Sequence, residues 1–222
     1  MTVSPQWNEL YRSNRHLSIW PWTDMVSYVH RFAHPKDGFA RVLELGCGAG
    51  ANIPLFLQLN MDYWSVEGSP VIVEKIRAAY PQMKNKIVVG DFTTEIPFAG
   101  EFDLVVDRAA LIHNDTPAIQ RALALVFGRL RSGGKFIGID WFANDHGYAK
   151  AGEALDGHTR TNIQTGPMAG VGAVHFCDRG HLTELLEAAG FGLEQLEHKS
   201  NVVVLPAGGD RLATWNFAAV KP

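Results

Sequence analysis

The residues most suited to chemistry are a run of glycines behind a short apolar segment. Residues 42–50 are Val-Leu-Glu-Leu-Gly-Cys-Gly-Ala-Gly, with glycines at 46, 48 and 50. Glycine permits positive φ angles and lets a ligand approach the backbone closely. The free N–H groups at the start of a following helix then point at the bound molecule. We therefore expect a buried strand that turns sharply into a helix and forms a cradle for a nucleotide-type cofactor.

The glycine run by itself fits two kinds of cofactor. Gly46, Gly48 and Ala51 satisfy the dinucleotide pattern G-x-G-x-x-G/A. Glu44 favours another interpretation, because a carboxylate suits a cofactor that carries ammonium and sulfonium groups better than it suits a pyrophosphate. The run, Cys47 included, closely resembles the (E/D)xGxGxG motif of class I S-adenosylmethionine (SAM) dependent methyltransferases.

A second carboxylate is predicted to bind a ribose. Glu67 ends the next predicted strand, about 20 residues after the glycine run, where an acid accepts hydrogen bonds from ribose hydroxyls. Both kinds of cofactor contain a ribose, so Glu67 does not distinguish them. Gly68 and Ser69 follow, and their small size suits close approach of the ribose or adenine.

The resemblance implies further cofactor contacts at two later strand ends. In the methyltransferase family an acid after the third strand binds the adenine amino group, and the next side chain packs on the ring. Asp91 and Phe92 match that pair. Asp107, after the fourth strand, matches the family position near the methionine end of the cofactor.

His113 is the candidate catalytic residue. It lies further along the loop after the fourth strand, where many small-molecule methyltransferases place a residue on the substrate side. It is predicted to contact the acceptor or to act as a general base. The alternative is a packing or capping histidine, because a helix start is also expected near Thr116 and Pro117.

An aromatic-rich segment precedes the glycine run. Tyr11 and Trp20 are predicted to contact the cofactor or substrate, because sulfonium cations are stabilised against aromatic faces. Similar N-terminal segments fold over the cofactor in small-molecule methyltransferases. The alternative is that Trp20, Pro21 and Trp22 only hold the N-terminal helix on the sheet.

The elements that must position these residues alternate between strand and helix. Strands are predicted at about 41–45, 62–67, 86–89, 102–106 and 135–139, and helices at about 52–60, 70–80, 117–131 and 179–189. This alternation favours a Rossmann-like α/β fold with a doubly wound, mostly parallel sheet. Two further strands, about 192–205 and 212–220, flank a short turn at 206–210 and must pair antiparallel. Residues 38–222 thus resemble the seven-stranded methyltransferase fold, to which residues 1–37 add an N-terminal helical cap.

Residues 141–176 are predicted to be a long substrate-side loop. This insertion is rich in glycine, polar and histidine residues, which suggests a site for a polar acceptor. No metal site is expected, because Asp140 lacks acidic neighbours and His146, His158 and His175 are far apart in the sequence.

Composition narrows the function classes. The net charge is −3 with no basic stripe, so neither nucleic acid nor a membrane surface is an expected partner. The two cysteines show no disulfide or zinc spacing, which indicates a reduced, cytoplasmic protein. Length and apolar content favour one domain over residues 1–222.

The combined interpretation is a SAM-dependent methyltransferase that releases S-adenosylhomocysteine (SAH). The expected acceptor is a small polar metabolite, and the expected reaction is O-methylation of a hydroxylated compound such as a sugar. N-methylation of a small amine is the near alternative. An NAD(P)-dependent oxidoreductase and a non-catalytic SAM-binding subunit remain as alternatives from other classes, and the sequence leaves the oligomeric state open.

Overall fold

The computed structural model describes residues 5–205 and 209–222. Residues 1–4 of the predicted cap and 206–208 of the predicted turn lie outside this range. The helices are Pro5–Arg12 (α1), Thr23–Phe32 (α2), Ile53–Gln58 (α3), Pro70–Ala79 (α4), Thr116–Arg129 (α5) and Arg179–Ala188 (α6). The strands are Arg41–Leu45 (β1), Asp62–Glu67 (β2), Ile87–Val89 (β3), Phe102–Arg108 (β4), Leu130–Phe142 (β5), Glu153–Ala154 (β6), Thr159–Thr161 (β7), Val174–His175 (β8), Gly192–Val202 (β9) and Arg211–Val220 (β10).

Seven of these strands form one sheet in the order β3-β2-β1-β4-β5-β10-β9. The first five strands in that order run parallel, whereas β10 pairs antiparallel with both β5 and β9. The predicted Rossmann-like, mostly parallel sheet with an antiparallel C-terminal pair is confirmed. Strand β1 lies between β2 and β4, so the glycine run emerges between the ends of its two neighbours.

Alternation along the strands builds a core on each face of the sheet. On one face Val42, Leu104 and Val106 pack with the apolar sides of α2, α3 and α4. On the other face Leu43 and Val105 pack with α5 and α6. Successive residues of a strand point to opposite faces, and both faces here are covered by helices. The central strands are therefore buried throughout and hold the sheet edge rigidly.

Side-chain caps fix where several helices begin. Ser69, Asp115 and Asp178 each precede a helix and accept a hydrogen bond from an amide in its first turn. Such a cap satisfies one of the amides that a helix start leaves unpaired and stabilises the helix by about 1 kcal/mol. Two of these helices start directly beyond a predicted site residue, so the caps also fix those loops.

The structure differs from the sequence prediction in two regions. Residues 132–134, which fall between a predicted helix and a predicted strand, lie inside β5, where the Gly133 amide donates to the Lys221 carbonyl at 2.8 Å. The predicted loop at 141–176 begins as the last two residues of β5 and contains the small antiparallel sheet β6-β7-β8. Short polar strands with interspersed glycines carry little apolar periodicity, so the sequence did not indicate them.

Candidate active site

The glycine loop has the predicted sharp turn. Gly46 and Gly48 have φ angles of 62° and 52°, a region that other residues enter with strain. A Cβ atom built on Gly46 would lie 2.5 Å from the Ala110 Cβ and 3.4 Å from the Phe92 ring. One built on Gly48 would lie 3.2 Å from the Tyr11 hydroxyl. The loop is thus a narrow cradle of backbone atoms. A side chain at residue 46 would clash with Ala110.

Glu67 ties this cradle to the end of β2. One carboxylate oxygen accepts the Gly48 amide at 2.9 Å, and the other accepts the Ser69 amide at 2.8 Å. Burial raises the pKa of Glu67, while its bonds to the amides of Ser69, Gly48 and Gly68 oppose that rise. An ionised carboxylate offers about four acceptor positions, so it can accept ligand hydroxyls beside these amides.

Ser69 is not an open contact surface. Its hydroxyl donates to the Asn8 side chain of α1 at 2.6 Å, and it also caps α4. Lys75 of α4 donates to the Tyr11 carbonyl at 3.0 Å. These bonds hold α1 against α4 and so hold Tyr11 over the glycine loop, as the predicted N-terminal cap requires.

Glu44 is buried beneath the loop and not exposed in the cradle. Its carboxylate accepts from the Asn52 amide at 2.7 Å and from the Tyr63 hydroxyl at 2.5 Å. Burial raises the pKa of Glu44. The Asn52 Oδ1 atom is buried and has no hydrogen-bond partner within the described ranges. Cys47 is also buried, and burial raises the pKa of its thiol.

Asp91 and Phe92 follow β3 as predicted. The Asp91 Oδ1 atom accepts from the Thr93 amide at 2.9 Å and from the Thr93 hydroxyl at 2.6 Å, which fixes the turn. Phe92 is half-buried, with one edge towards Gly46. The pair therefore borders the glycine cradle from the side of β3.

Asp107 lies under the loop after β4. One carboxylate oxygen accepts the amides of Ala110 and Leu111 at 3.1 and 3.0 Å, and the other accepts the Trp141 indole at 2.7 Å. The carboxylate is fully buried, and burial raises the pKa of Asp107 to about 7. Asp107 thereby holds Ala110 against Gly46 and shapes the cradle from below.

His113 lies where three distant segments meet. Its Nδ1 atom is 3.1 Å from the Ala173 carbonyl of the insertion. Its ring packs edge-on against Trp7 of α1 at 5.0 Å and Phe142 of β5 at 6.2 Å between ring centroids. Burial lowers the pKa of His113 to about 4. At neutral pH the imidazole is therefore uncharged, and a carbonyl partner requires the proton to be on Nδ1.

The structure separates the two predicted cap aromatics. Tyr11 is buried against the glycine loop, and burial raises the pKa of its phenol. Trp20 is 68% exposed, and in the described parts of the chain no hydrogen bond or ring contact fixes it. The predicted role of Trp20 thus gains no support from its placement.

Two aromatic residues without a predicted ligand contact, Trp7 and Trp22, are fixed by side-chain contacts. Trp7 packs between Tyr11 and His113. Trp22 covers the Arg108 guanidinium at 4.0 Å, and Arg108 forms an ion pair with Asp140 at 3.0 Å. These residues come from separate chain segments, and no spacing in the sequence connects them. Aromatic enrichment before residue 23 was the only signal.

Comparisons with known proteins agree with this geometry. Residues 42–134 match the methyltransferase domain family. A SAM-dependent methyltransferase from Methanosarcina mazei is 16% identical, with a TM-score of 0.68 over 92% of this chain and 99% of its own. A glycopeptide N-methyltransferase in complex with SAM is 19% identical, with a TM-score of 0.62 over 91% and 96%. A methyltransferase solved with a methyltransferase activator of Haloferax volcanii is 15% identical, with a TM-score of 0.65 over 97% of both chains. No curated protein sequence matches the chain.

The structural likenesses establish a shared fold, and the family match adds the chemistry. The strand order and the glycine loop at the end of β1 define a Rossmann-like fold of the methyltransferase type. Residues 42–134 carry a methyltransferase domain, and the solved structures that share the fold include SAM-dependent methyltransferases, one of them in complex with SAM. Within the described residues, none of the helices has the length and apolar character needed to cross a membrane.

The residues of the cradle fit this cofactor. The unpartnered Asn52 Oδ1 and the neighbouring Glu44 carboxyl group place buried hydrogen-bond acceptors beneath the loop. Acceptors suit a cofactor with ammonium and sulfonium groups better than they suit a pyrophosphate. Glu67 supplies a carboxylate beside backbone amides, and the missing Cβ at Gly46 leaves room for close approach. Both features fit the ribose and the close backbone contact of SAM.

Proposed function

We propose that the enzyme O-methylates a small hydroxylated metabolite, such as a sugar, and that His113 accepts the hydroxyl proton. The observation that carries this proposal is the placement of His113. It lies beyond the end of β4, at the edge where open α/β sheets bind ligands. The insertion and the cap both contact it, so an acceptor held between these segments would lie beside the imidazole.

The tautomer of His113 allows this residue to accept a proton. The Ala173 carbonyl takes the Nδ1–H, which leaves the lone pair on Nε2. In the described residues no protein group donates a hydrogen bond to Nε2. Because burial lowers the pKa of His113 to about 4, this lone pair is available throughout the neutral range.

A weak base matches a hydroxyl acceptor better than an amine. SAM supplies an activated methyl group, so the protein mainly positions the acceptor and excludes water. As the acceptor oxygen bonds to the methyl carbon, its proton becomes strongly acidic, and even a base of pKa about 4 can take it. An alkyl ammonium, with a pKa of about 10, would hold its proton against this imidazole.

A polar groove lies between α1 and the insertion. Its volume is about 350 Å³, and its lining includes Gln6 of α1 together with Asn162 and Gln164. Gly172 also lines this groove, one residue before the carbonyl that holds His113. Amide side chains recognise hydroxyl groups as both donors and acceptors. This lining supports a polyhydroxylated acceptor.

The proposed cofactor contacts follow the cradle. Glu67 accepts the ribose hydroxyls beside Gly68 and Ser69, Asp91 binds the adenine amino group, and Phe92 packs on the adenine ring. Gly46, Cys47, Gly48 and Tyr11 surround the rest of the cofactor. Glu44 and Asp107, which are both buried, act by fixing the loop that binds it. We assign no contact to Trp20, which is exposed.

The rest of the proposal concerns partners and location. A small-molecule acceptor, with neither nucleic acid nor membrane as partner, agrees with the net charge of −3. A cytoplasmic location agrees with two buried cysteines that form no disulfide.

A methyl-transfer screen tests the reaction. The purified enzyme is incubated with methyl-labelled SAM and matched acceptor sets, namely sugars and polyols in one and amino sugars and small amines in the other. We expect label in hydroxylated acceptors and none in their fully O-protected counterparts. Label confined to amines would establish N-methylation. SAM binding with no transfer to either set would favour a non-catalytic subunit.

A further inference from the structure

The sheet of the insertion ends beside a second cluster of chemically active side chains. His175 of β8 and Cys177 are buried, and His181 lies in the first turn of α6. The ligand atoms of these three residues all lie within 4.8 Å of one another. The Nε2 atoms of His175 and His181 are 3.1 Å apart. None of these three side chains forms part of the glycine cradle.

We propose that His175, Cys177 and His181 bind a divalent cation of the zinc class. Two imidazole nitrogens and one thiolate form a donor set typical of zinc. Ligands at about 2.0–2.1 Å from a tetrahedral zinc lie about 3.3 Å apart, which is close to the separation of the two Nε2 atoms. A bound zinc ion would hold the Cys177 sulfur at about 2.3 Å.

The local fold explains why the three ligands meet. His175 and Cys177 are two residues apart in extended chain, so their side chains share one face. The backbone of Cys177 is fixed on both sides, because its amide donates to the Phe142 carbonyl at 2.8 Å and its carbonyl accepts the Trp215 indole at 2.9 Å. The Asp178 cap holds the His181 amide at 2.9 Å and so sets the first turn of α6 against the strand.

Neighbouring groups orient the ligands as metal sites require. The Thr159 hydroxyl lies 2.8 Å from the His175 Nδ1 atom, opposite the nitrogen that would bind the ion. The His158 ring stacks on His181 at 3.5 Å with an angle of 2° between the planes. His158 and His181 are half-buried, so an ion can enter from their side. The fourth position is then open to water or to His158.

The ion would join the insertion to the main sheet. His175 belongs to the sheet β6-β7-β8, whereas His181 belongs to α6, which packs on the main sheet. Ala173, whose carbonyl holds His113, lies two residues before His175. The proposed site is therefore a structural clamp that fixes the insertion close to His113 without touching the reacting groups.

Metal binding to the purified enzyme tests the clamp. The protein is stripped with a chelator, exchanged into chelator-free buffer and titrated with zinc alone. We expect one zinc per chain by elemental analysis and a rise in melting temperature. With Co²⁺ as probe, we expect the intense visible bands of a tetrahedral ion and a thiolate-to-cobalt charge-transfer band.

Variants decide whether these residues are the ligands. Loss of a residue that only hydrogen-bonds to a metal ligand typically weakens metal binding by about tenfold to a hundredfold. His181→Gln removes a ligand itself, at a half-exposed position, and should weaken zinc binding by more than that. Cys177→Ser should remove the thiolate band. His30→Gln, at an exposed histidine of α2, is the matched control and should bind zinc normally.

Three results would overturn the proposal. The first is less than one zinc per chain in the stripped and reloaded protein. The second is a cobalt spectrum without the thiolate band in the unaltered enzyme. The third is unchanged zinc affinity in folded His181→Gln. In each case the two histidines would instead share a proton between their Nε2 atoms.

Discussion

The cofactor half and the acceptor half of the site are built in different ways. In the cofactor half, carboxylates bind backbone amides, as Glu67 does with Gly48 and Ser69. In the acceptor half, ring contacts join distant segments, as His113 does with Trp7 and Phe142. The first half follows from the path of the backbone at the ends of adjacent strands. The second half depends on how the cap and the insertion fold over that edge.

Because the two halves are built differently, we expect SAM binding and methyl transfer to be lost through different substitutions. The cradle is fixed by buried strands and by amides that cannot move without disrupting the sheet. The acceptor side consists of side chains on a cap, a loop and an insertion, where change affects chemistry without altering the cradle. Substitutions in one half should therefore leave the property of the other half intact.

The largest expected effect is on turnover in His113→Ala. Removal of a general base typically costs about 10²–10⁴ in rate. SAM affinity should not change, because the cradle is not touched. Turnover at saturating SAM, on the acceptor found by the screen, would be compared with that of His30→Gln. Full turnover in the folded variant would remove His113 from the mechanism and leave catalysis to positioning.

The next effect is on folding in Gly46→Ala. The positive φ costs about 1–2 kcal/mol for a residue with a Cβ, and the contact with Ala110 adds about 1–3 kcal/mol. SAM binding should weaken as well, because the clash of the new methyl group with Ala110 distorts the cradle. Chemical denaturation and SAM titration would measure both.

Gly128→Ala is the matched control for this substitution. Nothing lies within 4 Å of a Cβ at Gly128, which is inside α5. This change should stabilise the protein by about 0.5–1 kcal/mol and leave SAM binding unchanged. Equal stability of the two variants would contradict the strained geometry of the loop.

A smaller effect is expected for Glu67→Gln. The amide group would direct N–H groups at one of the two backbone amides and lose a charge-assisted bond to the ribose. SAM affinity should fall by about tenfold to a hundredfold, equivalent to about 1.5–3 kcal/mol. Equilibrium dialysis with labelled SAM would measure it, with exposed Glu74→Gln as control. If the folded variant binds SAM as tightly as the unaltered enzyme, the ribose assignment is wrong.

The smallest effect concerns pH. Because the pKa of His113 is lowered to about 4, turnover should show no inflection from this residue between about pH 8 and about pH 5. If the pKa of His113 were unperturbed, turnover would fall as the pH drops below about 6.5. Such a fall in the unaltered enzyme that is absent from His113→Gln would contradict the argument from burial. Folding should also weaken as the pH falls from about 6.5 towards about 4, since only the unfolded chain then binds this proton.

The sequence predicted the fold and the strand ends that carry the proposed cofactor residues. Gly46, Glu67 and Asp91 could be located because each follows a predicted strand, and adjacent parallel strands end at one edge. Glu44 and Asp107 lie at strand ends too, but their burial depends on Tyr63, Asn52 and Trp141, which the pattern does not connect to them.

The sequence provided less information about which side chains meet in the acceptor half. Trp7 packs against His113, Trp22 covers Arg108 and Trp20 is exposed, although all three belong to one aromatic segment. The choice among them depends on where α1 and α2 pack. The histidine cluster was missed for the same reason, since the strands β7 and β8 bring His158 close to His175 across a long stretch of sequence.

Calorimetric titration of the unaltered enzyme and His113→Ala with SAM, and of the unaltered enzyme with NAD, tests the central claim most directly. It needs no knowledge of the acceptor. We predict that both proteins bind SAM with the same affinity and that NAD binds far more weakly. A loss of SAM affinity in folded His113→Ala as large as that in Glu67→Gln would show that the two halves are not separate. Tighter binding of NAD than of SAM would contradict the account of the cradle itself.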